Sequence, residues 1–152
     1  MNEEIINRNK NINRGYRKPE VWKEAIELYK FVKDKIRTQN MTPFKVKAQI
    51  EDSILSCSSN IAEGYSRRGI KENIQFNTIA LASLAENYSQ IFALYNGNDI
   101  EREWFDKYDN LHYSFENKLI AMNRLLISKI DQMDWKNDYI IREMIAPYGE
   151  EN

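Results

Sequence analysis

One histidine and one cysteine set the limits of the catalytic chemistry that this sequence supports. On a helix, Asp109 and Glu116 lie three residues before and four residues after His112, so the three side chains share a face. Two interpretations are open: a metal or acid–base cluster, or a solvated ion pair, which is the commoner arrangement and the one we favour. Cys57 belongs to an apolar stripe and is expected to be a small core residue.

Several kinds of site need more than these residues provide. Zinc fingers and di-iron bundles require additional histidines or cysteines, and a serine–histidine–aspartate triad or a cysteine–histidine pair would depend on His112 alone. The sequence contains no glycine-rich phosphate-binding loop. We therefore expect a protein with no metal, no cofactor and no enzymatic activity.

Cations near residue 70 form the best candidate for binding a ligand. Arg67, Arg68 and Lys71 surround the predicted start of a helix, where free backbone N–H groups and the helix dipole attract anions such as phosphate. Surface ion pairs are an alternative, since Glu72 offers a partner, and the basic residues near the N-terminus also fit a solvated tail. The candidate nucleic-acid-binding residues are Arg14, Arg17, Arg67, Arg68 and Lys71.

A stripe of short polar side chains lies just upstream. Ser53, Ser56, Asn60 and Glu63 step by three, four and three residues, so they share one helix face. Small side chains let a neighbouring helix approach, and Asn60 is suited to bind backbone groups across such a contact. A serine-rich exposed face is an equally weighted alternative. The candidate packing or oligomer residues are Ser56, Asn60, Glu63 and Gly64.

Four segments with helical periodicity must position these side chains. The first segment begins at Pro19 and ends near residues 38–40, and the second has Thr42 as its N-cap and Gly64 as its stop. The third runs from residues 69–71 to Asn96. The fourth opens with a capping box formed by Asn98 and Glu101. Their apolar stripes are Val21, Ala25, Leu28, Val32 and Ile36; Ile50, Ile54, Cys57 and Ile61; Ile70, Ile74, Leu81, Leu84, Tyr88, Ile91 and Tyr95; and Trp104, Tyr108, Leu111, Phe115, Leu119, Met122, Leu126 and Ile130.

Four amphipathic helices with short links predict an all-α fold, specifically an antiparallel up-down four-helix bundle. The third helix is apolar on more than one side, because Phe76, Ile79 and Phe92 lie off its main stripe. We therefore expect it to face another subunit in a homo-oligomer. The expected organisation is a flexible basic arm at 1–15, the bundle at 16–133, and a tail at 134–152 with room for one short helix.

Charge is distributed unevenly along the 152 residues, which carry a net charge of −1. Residues 1–75 hold 15 Lys/Arg and 10 Asp/Glu, a balance of +5, whereas residues 76–152 hold 7 and 13, a balance of −6. This pattern is compatible with a local basic patch rather than a wholly basic nucleic-acid binder. Since no signal peptide or membrane span is evident, we expect a cytoplasmic protein with no membrane partner.

Three motifs, in order, resemble those of a known family. The segment NIAEG at 60–64 is followed by Arg67-Arg68 and Lys71-Glu72; EVW stands upstream at 20–22, and IALASLAE stands downstream at 79–86. From about residue 16 to residue 130, the chain resembles the four-helix-bundle proteins related to the intervening-sequence proteins of bacterial large-subunit ribosomal RNA.

The resemblance implies a bundle that assembles as a ring, typically a homopentamer, without established enzymatic activity. Because some members are encoded within intervening sequences of ribosomal RNA genes, it implies binding of RNA or a ribonucleoprotein. A related bundle is the accessory protein of diversity-generating retroelements, so the alternative is a protein-binding scaffold or accessory subunit, for example of a reverse transcriptase. The basic arm before Tyr16 and the acidic tail after Ile130 depart from the family pattern.

Overall fold

The computed structural model describes residues 3–8, 12–17, 19–40, 42–67 and 69–130. Every regular element within these ranges is a helix, which confirms the all-α prediction. The elements are α1 (Glu3–Asn7), a 3₁₀ helix (Ile12–Arg17), α2 (Glu20–Thr38), α3 (Phe44–Ser66), α4 (Ile70–Asn96) and α5 (Arg102–Ile130). The predicted tail at 134–152 lies outside the described residues, and the division of the chain at residues 15 and 133 stays a prediction. Within the described ranges, no helix combines the length and apolarity needed to cross a bilayer.

The apolar stripes predicted for the first two long helices are their buried faces. All five predicted residues of α2 and all four of α3 are at most 5% exposed. Burying an aliphatic side chain of this size contributes about 1.5–3 kcal/mol relative to leaving it in water. The spacing of these residues therefore decides which face of each helix turns toward the core.

The ends of α3 differ from the prediction. Pro43, rather than Thr42, is the N-cap, and no side chain caps the helix there. Gly64 does not end the helix, which continues to Ser66, so the predicted stop is wrong. A Cβ at Gly64 would lie only 2.7 Å from the Cβ of Phe76. This glycine is used for close approach to α4, and not for the left-handed conformation that ends helices.

The residue with left-handed backbone conformation at the end of α4 is Asn98, with φ of 65°. Its N–H donates to the Tyr95 carbonyl at 3.0 Å, and the N–H of Asp99 donates to the Leu94 carbonyl at 2.9 Å. These two bonds are those of a Schellman motif, which satisfies the last free carbonyls of a helix. The capping box predicted at Asn98 and Glu101 is therefore wrong, because Asn98 closes α4 and α5 begins only at Arg102.

Each long helix packs against two others: α2 with α3 and α5, and α4 with α3 and α5. Two ion pairs show that α2 and α5 run in opposite directions. Glu24 of α2 pairs with Lys118 of α5, whereas Lys35, further along α2, pairs with Glu101, the residue just before α5. Between α3 and α4, Ser53 lies 2.9 Å from Gln90, whereas Cys57, further along α3, contacts Ala80. The core lies between the four helices, and its largest fully buried side chains include Tyr108, Phe115 and Leu28.

The most buried face of α4 shares Leu84 and Ile91 with the predicted stripe but otherwise consists of different residues. The residues of α4 that are almost fully buried are Asn73, Asn77, Ala80, Leu84, Asn87 and Ile91. They step by four and three residues, so they form one continuous face that includes three asparagines. On α5, the stripe prediction is wrong at Leu111, which is 45% exposed, while Phe105 and His112 are buried instead.

Candidate nucleic-acid interface

Arg67, the first candidate phosphate contact, lies at the C-terminal end of α3 and is held by two partners. Its guanidinium pairs with the Glu63 carboxylate one turn earlier, in the favourable order of acid before base. The same guanidinium lies 4.9 Å from the centroid of the Phe76 ring on α4. About half of the Arg67 side chain remains exposed. Arg67 is therefore oriented by α3 and α4 together, with one side open to solvent.

Lys71 is exposed in the first turn of α4, directly across the link from Arg67. Glu72 is also exposed there, and the α4 N-cap is Gly69, which provides no side chain. The first turn thus combines the positive end of the helix dipole with one cation and one anion. Arg68 lies outside the described residues.

The segment that carries Arg14 and Arg17 packs against α3 near Arg67. Gly15 is buried beneath the Tyr65 ring, at a spacing that leaves no room for a Cβ. Arg17 donates from Nη1 to the Ile5 carbonyl at 3.2 Å and from Nη2 to the Arg8 carbonyl at 3.0 Å. Arg17 thereby joins α1 to the 3₁₀ helix, while Arg14 is exposed.

The candidate cations thus meet at one end of the molecule. The basic end, as we define it, consists of Arg14, Arg17, Arg67 and Lys71. Tyr65, which covers Gly15, lies two residues before Arg67 and brings the N-terminal segment to this end. The segments are distant in sequence, and the packing of Gly15 against Tyr65 is a contact that brings them together.

The stripe of short side chains lies on the side of α3 that faces α4. The Ser56 hydroxyl is 2.9 Å from the Ser83 hydroxyl of α4. Asn60 donates to the Ser56 carbonyl and hydroxyl oxygens, each at 2.8 Å, so it binds its own helix rather than a partner across the contact. Glu63 holds Arg67, and Gly64 admits Phe76.

The family described as 23S rRNA-intervening sequence protein matches residues 17–121. The chain belongs to this family. The match spans α2, α3, α4 and most of α5, and it includes Arg67 and Lys71. No curated protein matches the chain.

His112 is not the solvated ion-pair residue that its spacing predicts. Its ring is buried, and Nε2 donates to the Leu84 carbonyl of α4 at 3.2 Å. Burial lowers the pKa of His112 below its usual value, which favours the neutral ring. Nδ1 lies 4.0 Å from the Glu116 carboxylate. Within the described residues, no group of three His, Cys, Asp or Glu side chains is placed to hold a metal ion.

Cys57 is the small core residue that its position predicts. It is fully buried, and its thiol contacts the Ala80 carbonyl at 3.5 Å. Burial raises the pKa of the Cys57 thiol to about 12, so the reactive thiolate is scarce near neutral pH.

A buried polar cluster in the core is the main feature that sequence reasoning missed. Asn87 of α4 donates to the Ile50 carbonyl at 3.1 Å and to the Ser53 hydroxyl at 3.0 Å, both on α3. The hydroxyl of Tyr108 on α5 donates to Asn87 Oδ1 at 2.9 Å. One asparagine therefore connects three helices. The sequence does contain a signal for the burial of Asn87. This residue lies between Leu84 and Ile91 at helical spacing, so it shares their face of α4.

Proposed function

We propose that this protein is a non-enzymatic RNA-binding protein of the cytoplasm, whose basic end contacts phosphates of RNA or of a ribonucleoprotein. The observation that carries the proposal is the convergence of Arg14 and Arg17 with Arg67 and Lys71 through the buried contact of Gly15 with Tyr65. The family description, which names a ribosomal RNA intervening sequence, supports RNA as the polyanion. The proposal also includes Arg68 as a phosphate contact, because it directly follows Arg67 in the sequence.

Phosphate binding at this end has a clear physical basis. Arginine offers paired N–H donors to phosphate oxygens, and Lys71 adds a point charge at the positive end of the α4 helix dipole. Glu63 already pairs with Arg67, so a phosphate must share or replace that carboxylate. The net attraction therefore depends on several cations acting together, as is usual for backbone recognition of nucleic acids.

We further propose that the four long helices form an antiparallel bundle and that copies assemble into a ring, for which a pentamer is the expected size. The opposite order of the paired residues in α2 and α5, and in α3 and α4, supports the antiparallel arrangement. Exposed apolar side chains on α4, Ile79 at 42% and Phe92 at 47%, support association through that helix.

The experiment that tests RNA binding compares two double variants of the full chain by filter binding to a structured RNA. Arg67→Ala with Lys71→Ala removes two cations from the basic end. Arg102→Ala with Lys107→Ala removes two exposed cations at the start of α5, at the other end of α4, and is the matched control. We expect the first variant alone to lose affinity, with the salt dependence of binding falling by about 1.4–1.8 in slope for two lost phosphate contacts.

Equal losses in both variants would show that only overall charge matters and would contradict a site at the basic end. Affinity that does not change with salt would contradict phosphate recognition altogether.

The alternative proposal is a protein-binding scaffold or accessory subunit, for example of a reverse transcriptase. It is favoured by the apolar side chains that α5 exposes, which are Leu111, Tyr113, Leu125 and Ile127. Co-purification with the reverse transcriptase encoded nearest in the same genome, abolished by Leu125→Asp and retained with Ser128→Asp, would support this function. Both positions are exposed on α5 and both variants add one negative charge, so only the apolar contact distinguishes them.

A further inference from the structure

The outward face of α4 has no covering helix within its own chain. Exposed Ile79 and Phe92 lie on either side of the helix stripe that contains Ala82. Glu86 is the single charged residue among the exposed positions from 73 to 96. In the proposed ring each copy uses two different faces, because contacts that close a ring of more than two copies are head-to-tail. A second face of the same chain therefore covers α4 of its neighbour.

The geometry of closure limits the choice of that second face. The two contact faces of one copy point about 90° apart in a ring of four and about 108° apart in a ring of five. In the proposed bundle α4 packs against α3 and α5, and the outward directions of these helices each lie about 90° from that of α4. The outward face of α2 points the opposite way, and contact through opposite faces builds an open chain. The partner face is therefore on α3 or α5.

Exposed charge distinguishes α3 from α5. Among the exposed positions of α3 from 48 to 62, Asp52 is the single charged residue, and Leu55 is an apolar side chain that is 42% exposed. The exposed positions of α5 from 106 to 124 include five charged residues, which are Asp106, Lys107, Asp109, Lys118 and Arg124. Removing charged side chains from water is costly unless partners compensate for it. The face of α3 is therefore the better match for α4.

Hydrogen bonds within one chain show which residues of α3 and α4 lie at the same height. Asn87 of α4 donates to the Ser53 hydroxyl at 3.0 Å. One turn further along α3, the Cys57 thiol lies 3.5 Å from the Ala80 carbonyl. Leu55 lies between the two α3 residues, so it is level with the part of α4 between Ala80 and Asn87.

In a ring whose axis lies along the bundle, large exposed side chains of one face meet small ones of the other. Rotation about such an axis keeps every residue at its height, so the same levels hold between neighbouring copies. Ala82 and Ala85, in the segment level with Leu55, are exposed and leave room for its side chain. Ile79 is level with exposed Ser59, because each lies within two residues of the thiol contact just described.

We propose that the outward face of α4 in one copy packs on the outward face of α3 in the next copy. Leu55 contacts Ala82, and Ile79 contacts Ser59. This inference rests on the proposed ring, to which it adds the second face of the contact. The exposed apolar side chains of α5 lie outside the contact, as does Gln49, which is about 120° around α3 from Leu55.

The contact also brings two like charges to one level. Asp52 and Glu86 directly precede Ser53 and Asn87, which are hydrogen-bonded to each other within the chain. Asp52→Asn should therefore tighten the assembly about two- to fivefold, as is typical of one exposed charge interaction. Dilution followed by light scattering measures the change. Asp34→Asn removes one exposed carboxylate of α2 and is the matched control. Equal effects of the two substitutions would contradict the contact.

A second test blocks each face separately and measures the mass of the full chain by light scattering. Leu55→Asp blocks the α3 face and Ile79→Asp blocks the α4 face, whereas Leu125→Asp places the same charge on α5 as the control. We expect the first two variants to be monomers and the control to keep the mass of the wild type. An intact assembly with Leu55→Asp, or a monomer with Leu125→Asp, would overturn the proposal. Circular dichroism checks that each variant is folded.

Disulfide cross-linking tests the same contact in an intact assembly. A chain with Leu55→Cys and Ala82→Cys carries one new thiol on each face, while Cys57 stays buried. Since a disulfide needs Cα atoms within about 7 Å, mild oxidation should join neighbouring copies into covalent multimers up to the size of the ring. Leu125→Cys with Ala82→Cys is the control and should give no multimers.

The tests separate this inference from the ring on which it rests. A wild-type protein that is a monomer would contradict the ring and the contact together. An assembly that survives Leu55→Asp, and that is cross-linked through Leu125→Cys instead of Leu55→Cys, would retain the proposed ring and overturn the contact between α4 and α3.

Discussion

Arg67 has a place in the fold and is also a proposed contact for phosphate. Its guanidinium is fixed by Glu63 on α3 and by the ring of Phe76 on α4, yet about half of the side chain is exposed. Such an arginine loses little conformational freedom when it binds a phosphate, because its rotamer is already restricted. The same arrangement places the Glu63 carboxylate where it would compete with the proposed phosphate.

Replacing Glu63 with Gln should therefore strengthen RNA binding. The variant removes the negative charge that pairs with Arg67 but keeps a side chain of the same size. We expect affinity to rise about two- to fivefold, which corresponds to the 0.4–1 kcal/mol typical of one exposed charge pair. Filter binding at constant salt measures the change, with Glu20→Gln, an exposed carboxylate in another ion pair, as the control. Weaker binding by Glu63→Gln would show that Glu63 is needed to orient Arg67.

His112 makes stability depend on pH in a defined direction. Burial holds its pKa below the usual 6.5, so the folded protein binds fewer protons at this site than the unfolded chain. The stability contribution is therefore present above pH 6.5 and is lost as the pH falls below it.

The corresponding measurement is urea unfolding of the wild-type protein and of His112→Gln between pH 7.5 and pH 5.5. The wild-type protein should lose more stability than the variant over this range, by up to about 1.4 kcal/mol per pH unit. Identical slopes would mean that His112 has the same proton affinity in both states.

The buried face of α4 explains how the helices are held in one alignment. Apolar contacts are non-directional. An apolar stripe therefore determines which face of a helix is buried, but it determines the position of the helix along its axis less well. Asn87, in contrast, requires the Ser53 hydroxyl, the Ile50 carbonyl and the Tyr108 hydroxyl at particular places. Asn77 and Asn123 add a second polar contact between α4 and α5.

Tyr108→Phe should destabilise the protein by about 1–3 kcal/mol, because it leaves Asn87 Oδ1 buried without its donor. Chemical unfolding measures the loss. Tyr113→Phe removes the same hydroxyl from a ring that is 66% exposed and should change stability by less than about 0.5 kcal/mol. Equal effects of the two substitutions would contradict a structural role for the buried cluster.

Two surfaces of the described part of the molecule differ in their side chains. One is the basic end, and the other is the outward face of α4, where Glu86 is the single charged residue among the exposed positions from 73 to 96. Exposed Ile79 and Phe92 on that face lie among alanines and serine, which allow another helix to approach closely. In the proposed ring, copies associate through this face and not through the basic end.

Ile79→Asp should therefore reduce the proposed assembly to a smaller species, with the helix content of the protein unchanged. A charge placed in a desolvated interface costs several kcal/mol, whereas the same charge in solvent costs little. Light scattering gives the mass and circular dichroism gives the helix content. Gln49→Asp adds one negative charge at an exposed position of α3 and should leave the mass unchanged. A monomeric wild-type protein would contradict the ring.

Much of the fold follows from local patterns, as α2 illustrates. Its five apolar residues recur at helical spacing, and the structure buries all five. The ends of helices were predicted less well, because glycine and asparagine each serve several purposes. Gly64 admits Phe76 instead of ending α3, and Asn98 closes α4 instead of opening α5. For the candidate site, the sequence identified the cations but neither the partners of Arg67 nor the burial of His112.

The sequence by itself determined the family, the all-helical class and the apolar faces of α2 and α3, because these depend on residues only a few positions apart. The tertiary structure decided which distant residues meet. The contact of Gly15 with Tyr65 brings the N-terminal cations to Arg67, and the packing of α5 against α4 aligns Ile130 with the first turn of α4. The physical reason is that helical periodicity selects the face that leaves water, whereas shape and hydrogen bonding between those faces select the neighbour.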